Sequence, residues 1–148
     1  MYTRYATAGD AAVIKALIDF YVPSGTLLPR GEEFIAAHAH DFIVAVDDVG
    51  GERRVVGCVH LDEYAPSLAE IRSLAVAPSH QGTGVGAALV AQLEVLARMR
   101  GYTTLFAVSN TGPFFERLGY AARHIPELDK ERSAVSRFKG VYARDIGT

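Results

Sequence analysis

Tryptophan is missing from the 148 residues, and cysteine occurs once, at position 58. A single cysteine excludes an internal disulfide and suits a reducing compartment, so the expected location is cytoplasmic. Long apolar runs are missing too. No segment approaches the roughly 20 residues that cross a bilayer, and Met1-Tyr2-Thr3-Arg4 does not open a secretory leader, so no membrane partner is expected. Charge of one sign is not in excess either: the formal net charge is −2, which argues against broad, charge-driven binding to nucleic acid. The five histidines lack metal-ligand spacing, and no metal is expected. His38 and His40, two apart in a helical stretch, face different sides of it. Repeats, low-complexity tracts and linkers are absent.

What remains is a globular composition. Hydrophobic residues make up 49% of the chain, and the length suits one domain, residues 1–148, around a single core. Cys58 lies in Val55-Val56-Gly57-Cys58-Val59, where a buried packing role is expected.

Tyr2–Thr7 reads as a short edge strand. Gly9-Asp10 offers an N-cap to a helix with apolar positions Val13, Ile14, Leu17, Ile18 and Tyr21, ended by Pro23. The loop Ser24–Arg30 leads to a shorter helix, Gly31–His40. Phe42–Val46 and Arg53–Leu61 make a hairpin around the loop Asp47–Glu52. Ala69–Ala77 is a third strand, closed by Pro78. The helix Gly84–Arg100 carries Val85, Ala88, Leu89, Gln92, Leu93, Leu96 and Met99 on one face and stops at Gly101. Thr103–Ser109, Tyr120–Arg123 and Val141–Ile146 complete the strands, with a short helix at Pro113–Leu118. Consecutive strands early and helix-separated strands late imply an α/β chain of α+β type with a mixed sheet.

Residues 80–89 read His-Gln-Gly-Thr-Gly-Val-Gly-Ala-Ala-Leu, three glycines on alternate positions at a helix entrance. Glycine costs about 1 kcal/mol against alanine inside a helix, so their presence needs a reason. A helix start presents unpaired N–H groups and a positive dipole end, and glycines let a phosphate come close. Gln81–Gly86 is therefore a pyrophosphate cradle, or else a tight turn with close helix packing. A P-loop is excluded, since Gly86-Ala87-Ala88 has no lysine. A nicotinamide dinucleotide is disfavoured: the next strand runs out at Ser109-Asn110 without the acidic residue that grips a ribose.

Gln81-Gly82-Thr83-Gly84-Val85-Gly86 fits Q/R-x-x-G-x-G/A and follows the strand Glu70-Ile71-Arg72-Ser73-Leu74-Ala75-Val76-Ala77. Downstream, Asn110-Thr111-Gly112-Pro113-Phe114-Phe115-Glu116-Arg117-Leu118-Gly119-Tyr120 fits N-x-x-x-x-[FY]-Y-x-x-x-G-[FY] with one residue fewer after the asparagine. Together with the element order, which covers almost the whole chain, these landmarks resemble the GNAT superfamily of N-acetyltransferases. The resemblance implies a mixed, mostly antiparallel sheet of six to seven strands flanked by about four helices. It implies acetyl-CoA as cosubstrate, with the amides of Gln81, Gly82, Thr83, Gly84, Val85 and Gly86 on its pyrophosphate. Leu74, Ala75 and Val76 would line the thioester end, the Val76 amide bonding the carbonyl, while Asn110 and Phe114 line the pantetheine arm.

Acetyl transfer to an amine needs a neutral amine, a donor for the carbonyl oxygen and a proton for the leaving thiolate. Glu70, a carboxylate in an apolar strand, is the candidate base; the alternative is a structural pair with Arg72 on the same face. Many relatives place a tyrosine acid where this chain has Phe115. Ser109 or Tyr120 would then serve, or the thiolate leaves unaided.

Two further stretches, Ser24–Ile35 and the tail Ile125–Lys130 with Ser136–Gly147, resemble acceptor segments of N-acetylglutamate synthases, a subfamily in which that tyrosine is commonly absent. A substrate with two carboxylates needs fixed cations, and arginine forks grip carboxylates bidentately. The resemblance assigns Arg30, Arg72, Ser73, Arg137 and Lys139 to the acceptor. The tail Arg137-Phe138-Lys139-Gly140-Val141 lacks the serine of the family's Arg-Arg-Ser-Lys-Val. The implied reaction is direct transfer to the α-amine of an amino acid, glutamate first, by a stand-alone catalytic domain. Cys58 has no activating neighbour in sequence, so no acetyl-enzyme is expected. The rivals are another small amine or a protein N-terminus as acceptor, and a non-catalytic acyl-CoA-binding module. A homodimer is left open.

Overall fold

The computed structural model describes residues 1–129 and 139–147. Among these are seven strands, β1 (Tyr2–Tyr5), β2 (Phe42–Val49), β3 (Glu52–Ala65), β4 (Leu68–Val76), β5 (Thr104–Ser109), β6 (Ala121–Ala122) and β7 (Gly140–Asp145). Four α-helices accompany them: α1 (Ala11–Tyr21), α2 (Glu32–Ala37), α3 (Val85–Met99) and α4 (Gly112–Arg117). The strands form one sheet in the order β1-β2-β3-β4-β5-β7-β6. All pairings are antiparallel except β4 with β5. The mixed sheet and helix number agree with the expectation.

The sheet is sandwiched because its strands are apolar on both faces. Ile43, Val59, Leu61 and Leu105 meet α3 through Val85, Leu89 and Leu93. Phe42, Val44 and Cys58 meet α1 and α2 through Ile14, Ile18 and Ile35. A third cluster, Leu68, Phe106, Ile125, Leu128 and Ala143, covers the far half of the second face.

Three details differ from the sequence reading. The first hairpin is longer: Asp47 pairs with Arg54 and Val49 with Glu52, which leaves only Gly50-Gly51 as the turn, both at positive φ (61° and 85°). That is the backbone a two-residue hairpin demands, and polar side chains are tolerated on its exposed end. Asp10 does not cap α1 with its side chain. Its carboxylate accepts from the Thr7 amide (2.8 Å) and pairs with Arg4 (2.8 Å). On α3, Gln92 and Met99 are exposed, whereas Val90, Glu94 and Ala97 are buried. The buried stripe shifts because Glu94 has partners inside: Tyr120 Oη donates to it at 2.7 Å and Arg144 Nη1 at 3.1 Å.

The feature that shapes the functional region is an irregularity in β4. Cys58 pairs with Ala75 and His60 with Arg72, so Ser73 and Leu74 together oppose Val59 alone. Ser73 stands at φ 53°, the one positive-φ non-glycine among the described residues, and such a bulge bends its strand. The Cys58 thiol, fully buried, donates to Ser73 O at 3.4 Å. Already ahead of the bulge β4 leaves β5: the two pair only from Leu68–Thr104 to Glu70–Phe106. Their C-terminal halves open into a cleft.

Candidate active site

A cavity of about 380 Å³ fills this cleft. One side carries charge: Glu70 and Arg72 from β4, Arg30 from the segment between α1 and α2, and Lys139 ahead of β7. The other carries Leu74, Ala107, Phe115 and the hydroxyls of Ser109 and Thr111. Residues far apart in sequence are thus brought together by the separation of two strands that the fold otherwise pairs.

Glu70 is 16% exposed, and burial, opposed in part by Arg72, pushes its carboxyl up to about 7. Strand alternation does put Arg72 on its face, at 3.9 Å from Nε to Oε1, too long for a hydrogen bond. Arg72 Nη1 instead donates to Asp62 at 3.0 Å. Glu70 accepts no hydrogen bond among the described residues. A carboxyl in this setting can take a proton near neutral pH.

Arg30 Nε is buried without a hydrogen-bond partner, and its guanidinium lies 5.4 Å from the Phe34 ring centroid. Burial first, then the neighbouring Arg72, lower its pKa. Lys139 Nζ donates to Thr26 O at 3.2 Å, so the two segments expected to form the acceptor site touch. Arg137 lies outside the described residues. Ser73 also lines the cavity, and its backbone makes the bulge.

Of the two candidate proton donors, Ser109 lines the cavity, 2.6 Å from Thr111 Oγ1. Tyr120 is not among the lining residues. Its hydroxyl is buried against Glu94, which together with burial drives its pKa far up. Phe115 is 4% exposed and stacks on Tyr142, so it is a wall of the cavity with no proton to give. Cys58, also buried, has its thiol pushed up to about 12, which leaves it no nucleophilic role.

The glycine segment stands at the mouth of the cleft. Gly82 and Gly84 have φ of 74° and 90°, and a Cβ at either would meet nothing within 4 Å, so the backbone is open to a ligand. Gly84 is the N-cap of α3, and the first donor into the helix is Ala88, to Gly84 O at 3.0 Å. The amides of Val85, Gly86 and Ala87 precede it and have no intrahelical acceptor. This geometry fits a diphosphate. A Cβ on Gly86 would lie 3.2 Å from the Phe114 ring and 3.8 Å from Val76, so the helix entrance, α4 and the tip of β4 meet there. Asn110 is exposed, and Ala75 is buried on the α1 side. Ala77 N donates to Val56 O at 2.8 Å, so alternation turns the Val76 peptide groups toward the cleft. The Tyr21 hydroxyl donates to Val76 O and accepts from Gln81 Nε2. The sequence reading took Tyr21 for a core position; its polar tip ties α1 to the cofactor end of the cleft.

The described residues include no group of acidic, histidine and cysteine side chains able to hold a metal, and no helix among them is long and apolar enough to cross a membrane.

Residues 38–122 match the family model of the acetyltransferase (GNAT) domain. An uncharacterised N-acetyltransferase of Chlorobaculum tepidum is 36% identical over 128 residues, 86% of this chain and 77% of that one. The amino-acid acetyltransferase of Neisseria meningitidis is 34% identical over 139 residues, 93% of this chain but 31% of its own length. Among solved structures, the Mycobacterium tuberculosis protein Rv2747 in complex with CoA superposes with TM-score 0.84 at 26% identity, covering 98% of this chain and 99% of that one. The N-acetylglutamate synthase of Neisseria gonorrhoeae, complexed with coenzyme A and N-acetyl-glutamate, gives TM-score 0.81 at 30% identity, covering 98% of this chain and 35% of the other. The chain thus spans about a third of the Neisseria enzymes. Glycine cradle, opened strand pair and family match agree, and the chain belongs to the GNAT family of N-acetyltransferases.

Proposed function

We propose that the chain moves acetyl from acetyl-CoA to the α-amine of a small dicarboxylic amino acid, L-glutamate first. The observation that carries the acceptor is the convergence of Arg30, Arg72 and Lys139 on one cavity with Glu70. Asp62 engages Arg72, but Arg30 keeps a buried Nε without a partner. A carboxylate supplies what such a guanidinium lacks. A polyamine would meet repulsion on the same wall.

Acetyl-CoA supplies the activated acyl group. Glu70, directly or through a water, takes the proton that the incoming ammonium must lose. The Val76 amide faces the cleft and donates to the oxyanion. Ser109 gives a proton to the departing thiolate and recovers, through Thr111 and solvent, the second proton that the acylated nitrogen loses. The amine attacks the acyl carbon directly, with no acyl-enzyme.

Mixing the protein with acetyl-CoA and single amines, and following free thiol, tests this. L-Glutamate is expected to release thiol fastest, L-glutamine more slowly, and spermidine or a peptide N-terminus hardly at all. Release with spermidine but not glutamate overturns the acceptor assignment. Failure of every amine to release thiol, despite binding of coenzyme A, makes the chain a binding module.

A further inference from the structure

Glu70 and Arg72, which line the cavity from β4, have polar partners in register on β3. Asp62 stands opposite Glu70 in register, and His60 opposite Arg72. Opposed side chains share a face with Cβ atoms about 5 Å apart, and diagonal neighbours remain within reach of a long side chain. Arg72 therefore has two carboxylates to choose from, Glu70 on its own strand and Asp62 on the diagonal. It takes Asp62, at 3.0 Å against 3.9 Å to Glu70. The chosen carboxylate is the wetter one, 38% exposed against 16%.

The choice has a chemical consequence. A guanidinium fork on Glu70 would fix it as a carboxylate and weaken it as a base. We propose that Asp62 is a positioning residue, whose carboxylate draws the Arg72 guanidinium into a hydrogen bond and so leaves Glu70 only a long ion pair with it, without a hydrogen bond, toward the cavity. This rests on the reading of Glu70 as the base. The groups facing Glu70 are Arg72 on its own strand, Asp62 and Tyr64 from β3, Arg30 from the segment after α1, and Lys139 ahead of β7; Phe106 stands opposite on β5. Of these, Asp62 acts on the base in two ways, directly as a neighbouring like charge and through the Arg72 guanidinium it engages. Burial raises the Glu70 carboxyl, Arg72 and Arg30 lower it and Asp62 raises it, in keeping with that arrangement.

The Glu70 carboxyl carbon can be followed by ¹³C NMR in a pH titration of the whole protein. In Asp62→Asn, Arg72 is expected to close on Glu70, and the titration midpoint to fall by about one pH unit or more, as for an acid given a close cationic partner. In Asp62→Asn/Arg72→Gln the midpoint should return to at least its original value, and Asp62→Glu should preserve it. The acidic limb of kcat/KM should move down with the midpoint in Asp62→Asn. An unchanged midpoint in Asp62→Asn overturns the proposal, as does a fall that persists in the double variant, or a crystal structure of Asp62→Asn in which Arg72 stays beyond hydrogen-bond distance of Glu70. The base assignment fails separately: Glu70→Gln with full turnover would remove it whatever the titration shows.

Discussion

Glu70→Gln is expected to lower turnover at neutral pH by about 10²- to 10⁴-fold, the range that a positioned general base contributes, and to leave the affinity for acetyl-CoA unchanged. Glutamine keeps the size and polarity of the side chain and removes only its ability to take a proton. In the unsubstituted protein, kcat/KM should climb as pH rises through about 7, where Glu70 loses its proton, and that limb should vanish in the variant. Stability moves the other way. A buried carboxyl whose pKa lies above its ordinary value of 4.5 is comfortable protonated and costly charged. Its contribution is therefore full below about 4.5 and is lost as pH rises through about 7, roughly 3 kcal/mol in all. Urea midpoints of the two proteins should diverge over that window, with Glu70→Gln the more stable above it. A variant with normal turnover and the same pH profile would leave Glu70 a structural residue.

Arg30→Ala is expected to raise the KM for L-glutamate with a smaller change in kcat. Removing one partner of a buried, hydrogen-bonded charge pair costs about 2–5 kcal/mol, on the order of 30- to several-thousand-fold in affinity. Arg30→Lys should recover part of this, since a lysine keeps the charge and loses the fork. The KM for acetyl-CoA should not move. If it rises equally, or if only the thermal midpoint falls, Arg30 holds its loop against Phe34 rather than the acceptor.

The cofactor end was legible because its signals are local. Glycines on alternate positions before an apolar helix, and the strand ahead of them, lie within one stretch of chain, and both the turn at Gly84 and the start of α3 follow from them. The cavity was legible only in part. Glu70 stood out as a carboxylate among apolar neighbours, but the hydrogen-bond partner of Arg72 is Asp62, which lies beyond the end expected for β3 at Leu61. The strand runs on to Ala65. Asp62 and Tyr64 read as loop residues because they are polar, yet Tyr64 lines the cavity and Asp62 engages Arg72 beside it. The bulge at Ser73 left no mark in the sequence: serine is an ordinary strand residue, and its positive φ follows from pairing across β3. Tyr21 shows the same limit. Its ring has helical core spacing, while its hydroxyl reaches Val76 and Gln81, some 55 and 60 positions away.

A crystal structure with coenzyme A and N-acetyl-L-glutamate bound together tests the account most directly. It should place the product's two carboxylates on Arg30 and Lys139, the diphosphate on the amides of residues 82–86, and the acetamide nitrogen about 3 Å from Glu70 or one water away. Product carboxylates held by other residues, with Glu70 facing no reacting atom, would contradict it.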